Sequence, residues 1–367
     1  MVFAALIVTF GLAAGITAFL VRPVAHLCNR KDWIARPDSR RVHQVPTPTV
    51  GGLAIVSGFV LALLFTFLLE HVDLLLQRTS FEHLRLVLLL TGTFVVATVS
   101  FLDDIRTLSP GFRLTIHFAA ALIAIGPYLW DHTLYPDIMG MPTEARGIIL
   151  TAFNIPYFDQ IHLHNITPWL AILVTMVWIA GIQNMLNWVD GLDGLAAGVT
   201  LIAAIILALH ALLLGQWTVA LLPIALAGAC AGFLPFNFHP AHIFMGDVGA
   251  MSLGYVLAVS AIIGGAKLAT ALLVLGIPLI DMTWLIFWRA FHRRSVATSG
   301  RDNLHIRLID MGFSQRQVVG FYYVVSAAFG AIALLDVMTP ITKLVAICAM
   351  GLVVLAVVFY AVRKQQA

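Results

Sequence analysis

Residues 194–214, GLAAGVTLIAAIILALHALLL, run without a single charged side chain. About 20 predominantly apolar residues at helical rise span the hydrocarbon core of a bilayer, so such a stretch restricts the fold before any motif is considered. Ten further segments are comparably apolar, at 3–21, 51–69, 84–101, 113–130, 168–186, 218–235, 249–264, 268–288, 318–335 and 341–361. Inside lipid, backbone N–H and C=O groups have no water to bond, which leaves only helices and closed barrels as spanning structures. The ten-residue alternation that marks barrel strands is missing. The expected fold is therefore all-α, a polytopic membrane helical bundle of about 11 transmembrane helices forming a single integral membrane domain over 1–367. Composition agrees: 11% of residues are charged, against about 25% in a soluble domain. The first apolar run lacks a basic region ahead of it, which favours a retained span over a cleaved leader. Cys28, Cys230 and Cys348 are too widely spaced for a metal pattern or a disulfide framework and read as packing residues.

An odd number of spans puts the termini on opposite sides. The connections at 22–48, 102–112, 184–193, 236–248 and 289–317, with the C-terminal tail and with Arg113 at the border of 102–112, hold sixteen of the 21 Lys and Arg residues. Lys/Arg excess marks the cytoplasmic side, so the N-terminus is expected outside and the C-terminus in the cytoplasm. A net charge of +3 is too small to argue for nucleic acid. The long loop 131–167, on the outer side in this reading, looks irregular.

Asp103, Asp104, Asn184, Asn187, Asp190, Asp193, Asp247, Asp302, His305 and Arg307 all fall on this cytoplasmic side. NMLNWVDGLDGL sets Asn184, Asn187, Asp190 and Asp193 three residues apart, and such residues neighbour one another on a helical surface. Capping explains one or two of them, but four polar groups beside a span need partners at membrane depth. Their amide and carboxylate oxygens suit Mg²⁺, which usually shares its shell with substrate phosphates.

FLDDIRTLSP places Asp103 and Asp104 directly after an apolar run. Acids at a helix C-terminus oppose the macrodipole, and adjacent carboxylates repel unless a cation or partner relieves them. In PFNFHPAHIFMGDVGA, Asp247 lies between Gly246 and Gly249. It either caps its own helix or lets a phosphate or metal approach the positive helix end.

RRSVATSGRDNLHIRL supplies Arg293, Arg294, Arg301, His305 and Arg307. A basic inner loop follows from topology alone, yet clustered arginines also fit phosphate. RRVHQVPTPTVGGL joins Arg40, Arg41 and His43 to Gly51 and Gly52, and alone it reads as a loop end. Asp281 lies well within the ninth apolar segment. An intramembrane carboxylate is a functional candidate by default, and the sequence names no partner for it.

Taken in order, PTPTVGG, DDIRTLSP, NMLNWVDGLDGLA, FMGDVGA, DNLHIRL and GFSQRQ resemble the motifs of the polyprenyl-phosphate N-acetylhexosamine-1-phosphate transferases. That superfamily includes the bacterial enzymes that start O-antigen, enterobacterial common antigen and wall teichoic acid, and the phospho-N-acetylmuramoyl-pentapeptide translocase of peptidoglycan synthesis. The resemblance implies transfer of a sugar-1-phosphate, by default N-acetylglucosamine-1-phosphate, from a UDP-N-acetylhexosamine to polyprenyl (undecaprenyl) phosphate. It implies Mg²⁺, with Mn²⁺ as a replacement, and a bacterial inner membrane with the site facing the cytoplasm. Membrane lipid is then the surroundings, nucleic acid is no partner, and a homodimer is left open.

By the same resemblance Asp103 and Asp104 handle the lipid phosphate, Asn187 and Asp247 hold the metal, and Asp190 and Asp193 lie near nucleotide and metal. His305 joins them as a catalytic candidate, and Asn184, Arg301, Asn303, Arg307, His43, Gly51 and Gly52 are candidates for substrate binding. The commonest bacterial pattern has a His-x-His-His run where this chain has Asn303-Leu304-His305-Ile306, so only His305 remains. Eleven spans favour the aminosugar-initiating branch over the ten-span peptidoglycan translocase, which stays the alternative. Outside the family, the rivals are an ion-coupled secondary transporter and a lipid pyrophosphate phosphatase. Transporter sites usually lie near the midplane between repeated halves, and here most of the acids cluster at one surface with no half-repeat evident.

Overall fold

The computed structural model describes residues 2–37, 45–72, 77–136, 142–153, 161–263, 268–293 and 303–335, with scattered positions between 345 and 356. Helix α1 (Val2–Lys31) carries the first apolar segment and continues through Pro23 to Arg30 and Lys31, cations that complement the helix C-terminal dipole. A two-residue ladder of β1 (Ile34–Ala35) and β2 (Thr47–Pro48) returns the chain to α2 (Gly52–His71). Helix α3 (Ser80–Arg106) opens on a capping box, in which Thr79 accepts from the Glu82 N–H and Glu82 reaches back to Thr79. Ser109 caps α4 (Pro110–Ile125), whose first residue is proline, the favoured residue where no N–H is needed.

The loop expected to be irregular holds two small ladders, β3 (Leu134–Pro136) with β4 (Pro142–Ala145) and β5 (Ala152–Phe153) with β6 (Ile161–His162). A single turn, α5 (Leu163–Ile166), follows. Then come α6 (Pro168–Val189), α7 (Leu195–Leu213), α8 (Trp217–Asn237) and α9 (Gly246–Ile262). The chain continues as α10 (Leu268–Val274), α11 (Gly276–Phe291), α12 (Leu304–Asp310) and α13 (Gln315–Leu334).

Among the described residues, eight helices are long and apolar enough to cross a membrane, and nine if α10 and α11 count as one broken span. Ten of the eleven apolar segments thus fall on helices. The last, 341–361, lies largely outside the described residues. Two of the ten are not straight full-length spans. The segment 268–288 is bent by 77°, because Pro278 lies in the first turn of α11 and has no N–H to bond back across the break. Helix α9 has 17 residues, or about 25 Å at 1.5 Å per residue, short of a hydrocarbon core of about 30 Å. It is buried from Val248 to Ile262, so protein and not lipid sets its length.

Around α9 the other helices keep apolar side chains on their outer faces, such as Phe94 at 71% and Val324 at 69% exposure. A water-facing surface would not hold such a girdle; lipid accepts it. Lipid tails are as apolar as the helices, so packing rests on close backbone approach. Gly228 and Gly232 of α8 supply it against α1. A Cβ at Gly228 would stand 2.4 Å from the Phe10 carbonyl oxygen, and one at Gly232 2.2 Å from that of Ala14.

Candidate active site

The connections after α1, α3, α6, α8 and α11 meet at one end of the bundle. Gly51 N–H donates to the Phe244 carbonyl at 2.9 Å, Asn303 Nδ2 to the Trp188 carbonyl at 3.0 Å, and Arg316 to the His239 carbonyl at 3.0 Å. The loops that the Lys/Arg count grouped together are therefore neighbours.

At their centre the last turn of α3 meets the first turn of α9. Asp104 accepts from the Asp247 N–H at 2.8 Å on one oxygen and from the Val248 N–H at 3.0 Å on the other. Those are orphan donors of α9, so a carboxylate from another helix caps α9 where its dipole is positive. The sequence left open whether Asp247 caps its own helix; Asp104 does so in its place. Gly246 makes room: its φ is +69°, and a Cβ there would come within 2.7 Å of Asp104.

Asp247 is then free to point its carboxylate away from its own backbone. Asn187, in the last turn of α6, donates from Nδ2 to Asp247 Oδ1 at 2.7 Å. Arg113, in the first turn of α4, lies 3.2 Å from Asp247 Oδ2 and 2.6 Å from Asp103 Oδ2. Asp103 also accepts from the Leu108 N–H at 2.5 Å, which shapes the turn out of α3. Asp103, Asp104, Asn187 and Asp247 thus share one network with Arg113 at its hinge. Arg113 was read from sequence only as one more cytoplasmic charge. The interval of ten residues from Asp103 across a proline-started helix was the signal that could have found it.

Asp190 follows the last residue of α6. Burial pushes its carboxyl well above the usual carboxylate range, and the charges of Asp247, Asp104 and Asp193 add to that push. Asp193 faces away from the hinge, accepting from His239 Nδ1 at 2.8 Å and the Ala241 N–H at 3.1 Å. Asn184 donates to the Ala180 carbonyl of its own helix at 2.8 Å. One turn before Asn187, the buried Gln183 accepts from His117 Nδ1 at 2.8 Å, a pair that spacing alone gave no reason to join.

The remaining candidates divide. Gly51 and Gly52 are buried, and their N–H groups go to the Phe244 and Met245 carbonyls, so they seat α2 against α9 and do not offer donors to a ligand. Asn303 precedes α12 and ties it to α6. Arg307 is buried with its guanidinium 5.4 Å over the Trp288 ring. His305 is 1% exposed and bonds Asp281 at 3.0 Å, which gives Asp281 the partner the sequence could not name. His43 and Arg301 lie outside the described residues.

Chemically, the site is a set of hard oxygen donors with one guanidinium hinge. Among the described residues no group of three or more His, Cys, Asp or Glu side chains is arranged to cage an ion. Asn187 and Asp247 present an amide and a carboxylate side by side, which suits a cation that completes its shell with phosphate oxygens and water. The raised Asp190 carboxyl marks a surplus of negative charge that a divalent cation would relieve. The residues fit Mg²⁺ bound together with a phosphate ligand.

Fold and site together define a multi-pass membrane protein with an acidic, oxygen-donor site at one end of its helices. A family model described as glycosyl transferase family 4 matches residues 86–265. A decaprenyl-phosphate N-acetylglucosaminephosphotransferase of Mycobacterium tuberculosis is 33% identical over 348 residues, covering 87% of this chain and 80% of that protein. A probable undecaprenyl-phosphate N-acetylglucosaminyl 1-phosphate transferase of Bacillus subtilis is 27% identical over 326 residues, covering 87% and 82%. A phospho-N-acetylmuramoyl-pentapeptide-transferase of Moorella thermoacetica is 31% identical over 270 residues, covering 71% and 76%. The chain belongs to glycosyl transferase family 4 and is a phosphotransferase.

Proposed function

We propose that the chain transfers an N-acetylhexosamine-1-phosphate, by default N-acetylglucosamine-1-phosphate, from its UDP-sugar to polyprenyl phosphate. The products are UMP and a polyprenyl-pyrophosphoryl-sugar, and the site faces the cytoplasm, with the N-terminus outside and the C-terminus inside. The reading rests chiefly on the single network that joins Asp103, Asp104, Asn187 and Asp247 through Arg113. Relatives named for decaprenyl- or undecaprenyl-phosphate N-acetylglucosamine transfer support the same substrates.

Both reactants are anions, so the site must offset repulsion and align the attacking oxygen with the phosphorus. Bound Mg²⁺ supplies charge neutralisation on the diphosphate; Asn187 and Asp247 are the residues that would hold it. Arg113 offsets Asp103 and Asp247 and keeps both carboxylates fixed. Arg301, Arg307 and His305 serve the nucleotide phosphates in this reading.

The lipid phosphate, with a second pKa near about 6, is largely dianionic at neutral pH and needs little help from a base. Each oxygen of Asp103 and Asp104 is already engaged: Leu108 N–H and Arg113 hold Asp103, and the two α9 N–H groups hold Asp104. That engagement favours direct attack by the lipid phosphate over a covalent aspartyl intermediate, with the two carboxylates as positioning groups.

Incubating the purified chain with Mg²⁺, polyprenyl phosphate and labelled UDP-N-acetylglucosamine tests the reading. UMP together with a labelled pyrophosphoryl lipid is expected. Inorganic phosphate alone would make the chain a phosphatase, and neither product would remove the transferase reading.

A further inference from the structure

Asp281 is 3% exposed, on a helix that starts only after the break at Leu275. A buried carboxylate persists where donors satisfy it, and three do so here. Oδ1 accepts from the Leu304 N–H at 2.7 Å, and Oδ2 from His305 Nδ1 at 3.0 Å and the Tyr322 hydroxyl at 3.2 Å. One side chain of α11 thus holds the first turn of α12 against α13.

With Nδ1–H committed to Asp281, the other ring nitrogen is determined: neutral His305 carries its lone pair on Nε2. Nε2 is buried and has no hydrogen-bond partner among the described residues. It lies against Gly191. A Cβ there would come within 2.6 Å of Nε2, and a ring gripped by Asp281 cannot swing aside. Gly191 has no positive φ to require glycine, unlike Gly194 at +80°; what it gives up is the volume the histidine occupies. An orphaned nitrogen at the turn beginning with Asp190, fixed from behind by a buried carboxylate, has the arrangement of a ring presented to a ligand.

We propose that Asp281 is a positioning residue that acts through His305, fixing the Nδ1–H tautomer so that Nε2, admitted by Gly191, is the ring atom that accepts a hydrogen bond from a hydroxyl of a phosphate-bearing ligand. The ligand class rests on the sugar-phosphate transfer reading; the tautomer does not. Asp281→Asn keeps the shape of the carboxylate, but its amide donates toward Nδ1 and inverts the tautomer. A comparable inversion beside a catalytic histidine lowers turnover by about 10⁴-fold without moving the ring.

Two measurements on the full-length protein test this. Ring ¹⁵N shifts of histidine-labelled chain, assigned against His305→Ala, should report Nδ1–H in the native protein and Nε2–H in Asp281→Asn. The same tautomer in both would overturn the proposal, whether or not the chain turns over a UDP-sugar. In the transfer assay, Asp281→Asn should lose roughly 10²-fold or more in kcat with KM for UDP-N-acetylglucosamine changed by less than about threefold. Because one residue acts through the other, the double variant with His305→Ala should be no slower than His305→Ala alone. Gly191→Ala, which pushes on the ring from the opposite side, should reproduce the kcat loss in the fraction that remains folded. Multiplying losses, or wild-type kcat in folded Asp281→Asn, would overturn it. If the native chain forms no pyrophosphoryl lipid, the transfer reading falls and the tautomer measurement alone decides the positioning role.

Discussion

At the scale of single residues, Asp104 shows how a site can be stabilising and chemical at once. Its carboxylate caps α9 from another helix, and hydrogen bonds to a charged acceptor contribute about 1.5–3 kcal/mol. Asp104→Asn can accept only one of the two N–H groups well. It should unfold at lower temperature and turn over at least ~10²-fold more slowly; a native melting curve with native turnover would dissociate Asp104 from both roles. Asp190 gives a pH test. Its folded carboxyl titrates well above the unfolded value, raised by burial first and by neighbouring aspartates next. The folded state therefore keeps a proton that the unfolded chain releases near pH ~3.9. That stabilisation is complete below this pH and disappears as pH rises through the raised value. Thermal unfolding in Mg²⁺-free detergent should show stability falling in that window, and saturating Mg²⁺ should flatten the slope. The acidic half of the site was legible because Asn and Asp stand out in an apolar chain. Arg113, Gln183 and His117 were not, since the cation counted toward topology and the other two sat unannounced inside apolar segments.

Elements explain why Asp281 was opaque. The apolar segment 268–288 reads as one straight span, and nothing in it says that Pro278 divides it or that a later short helix returns to bond the carboxylate. Periodicity locates helices well and bends poorly. At the other end of the bundle, Glu70 of α2 is bonded by Arg78 at 2.9 Å and by His83 at 3.2 Å, with Arg78 also reaching Thr66 at 2.7 Å. Glu70 and Arg78 are both buried, and removing one partner of such a pair leaves an uncompensated charge at about 3–5 kcal/mol. Glu70→Ala should therefore lower the unfolding temperature while the folded fraction turns over at the native rate. A loss of kcat without a loss of stability would place this clasp in the mechanism.

For the whole molecule, sequence carried the helical membrane architecture and the grouping of loops, because both follow from hydropathy and charge bias. Span lengths were less legible, since α9 is wrapped by protein and answers to packing instead of bilayer thickness. Single cysteines placed at Arg30 and at Ser80, in a background lacking Cys28, Cys230 and Cys348, test sidedness in intact cells. A membrane-impermeant maleimide should label position 80 and spare position 30; the reverse pattern would turn the site to the outside.

In the proposed reading, distant helices converge to hold a cation and a phosphate where sugar phosphate changes hands. Asp247→Asn tests it most directly, because Asp247 touches Asn187 and Arg113 and borders the Asp104 cap. Purified native and variant chains should be compared for Mg²⁺-dependent release of UMP and labelled pyrophosphoryl lipid. The native chain should form both products, and folded Asp247→Asn should lose roughly 10²–10³-fold in rate. Native-like rates in the variant would contradict it.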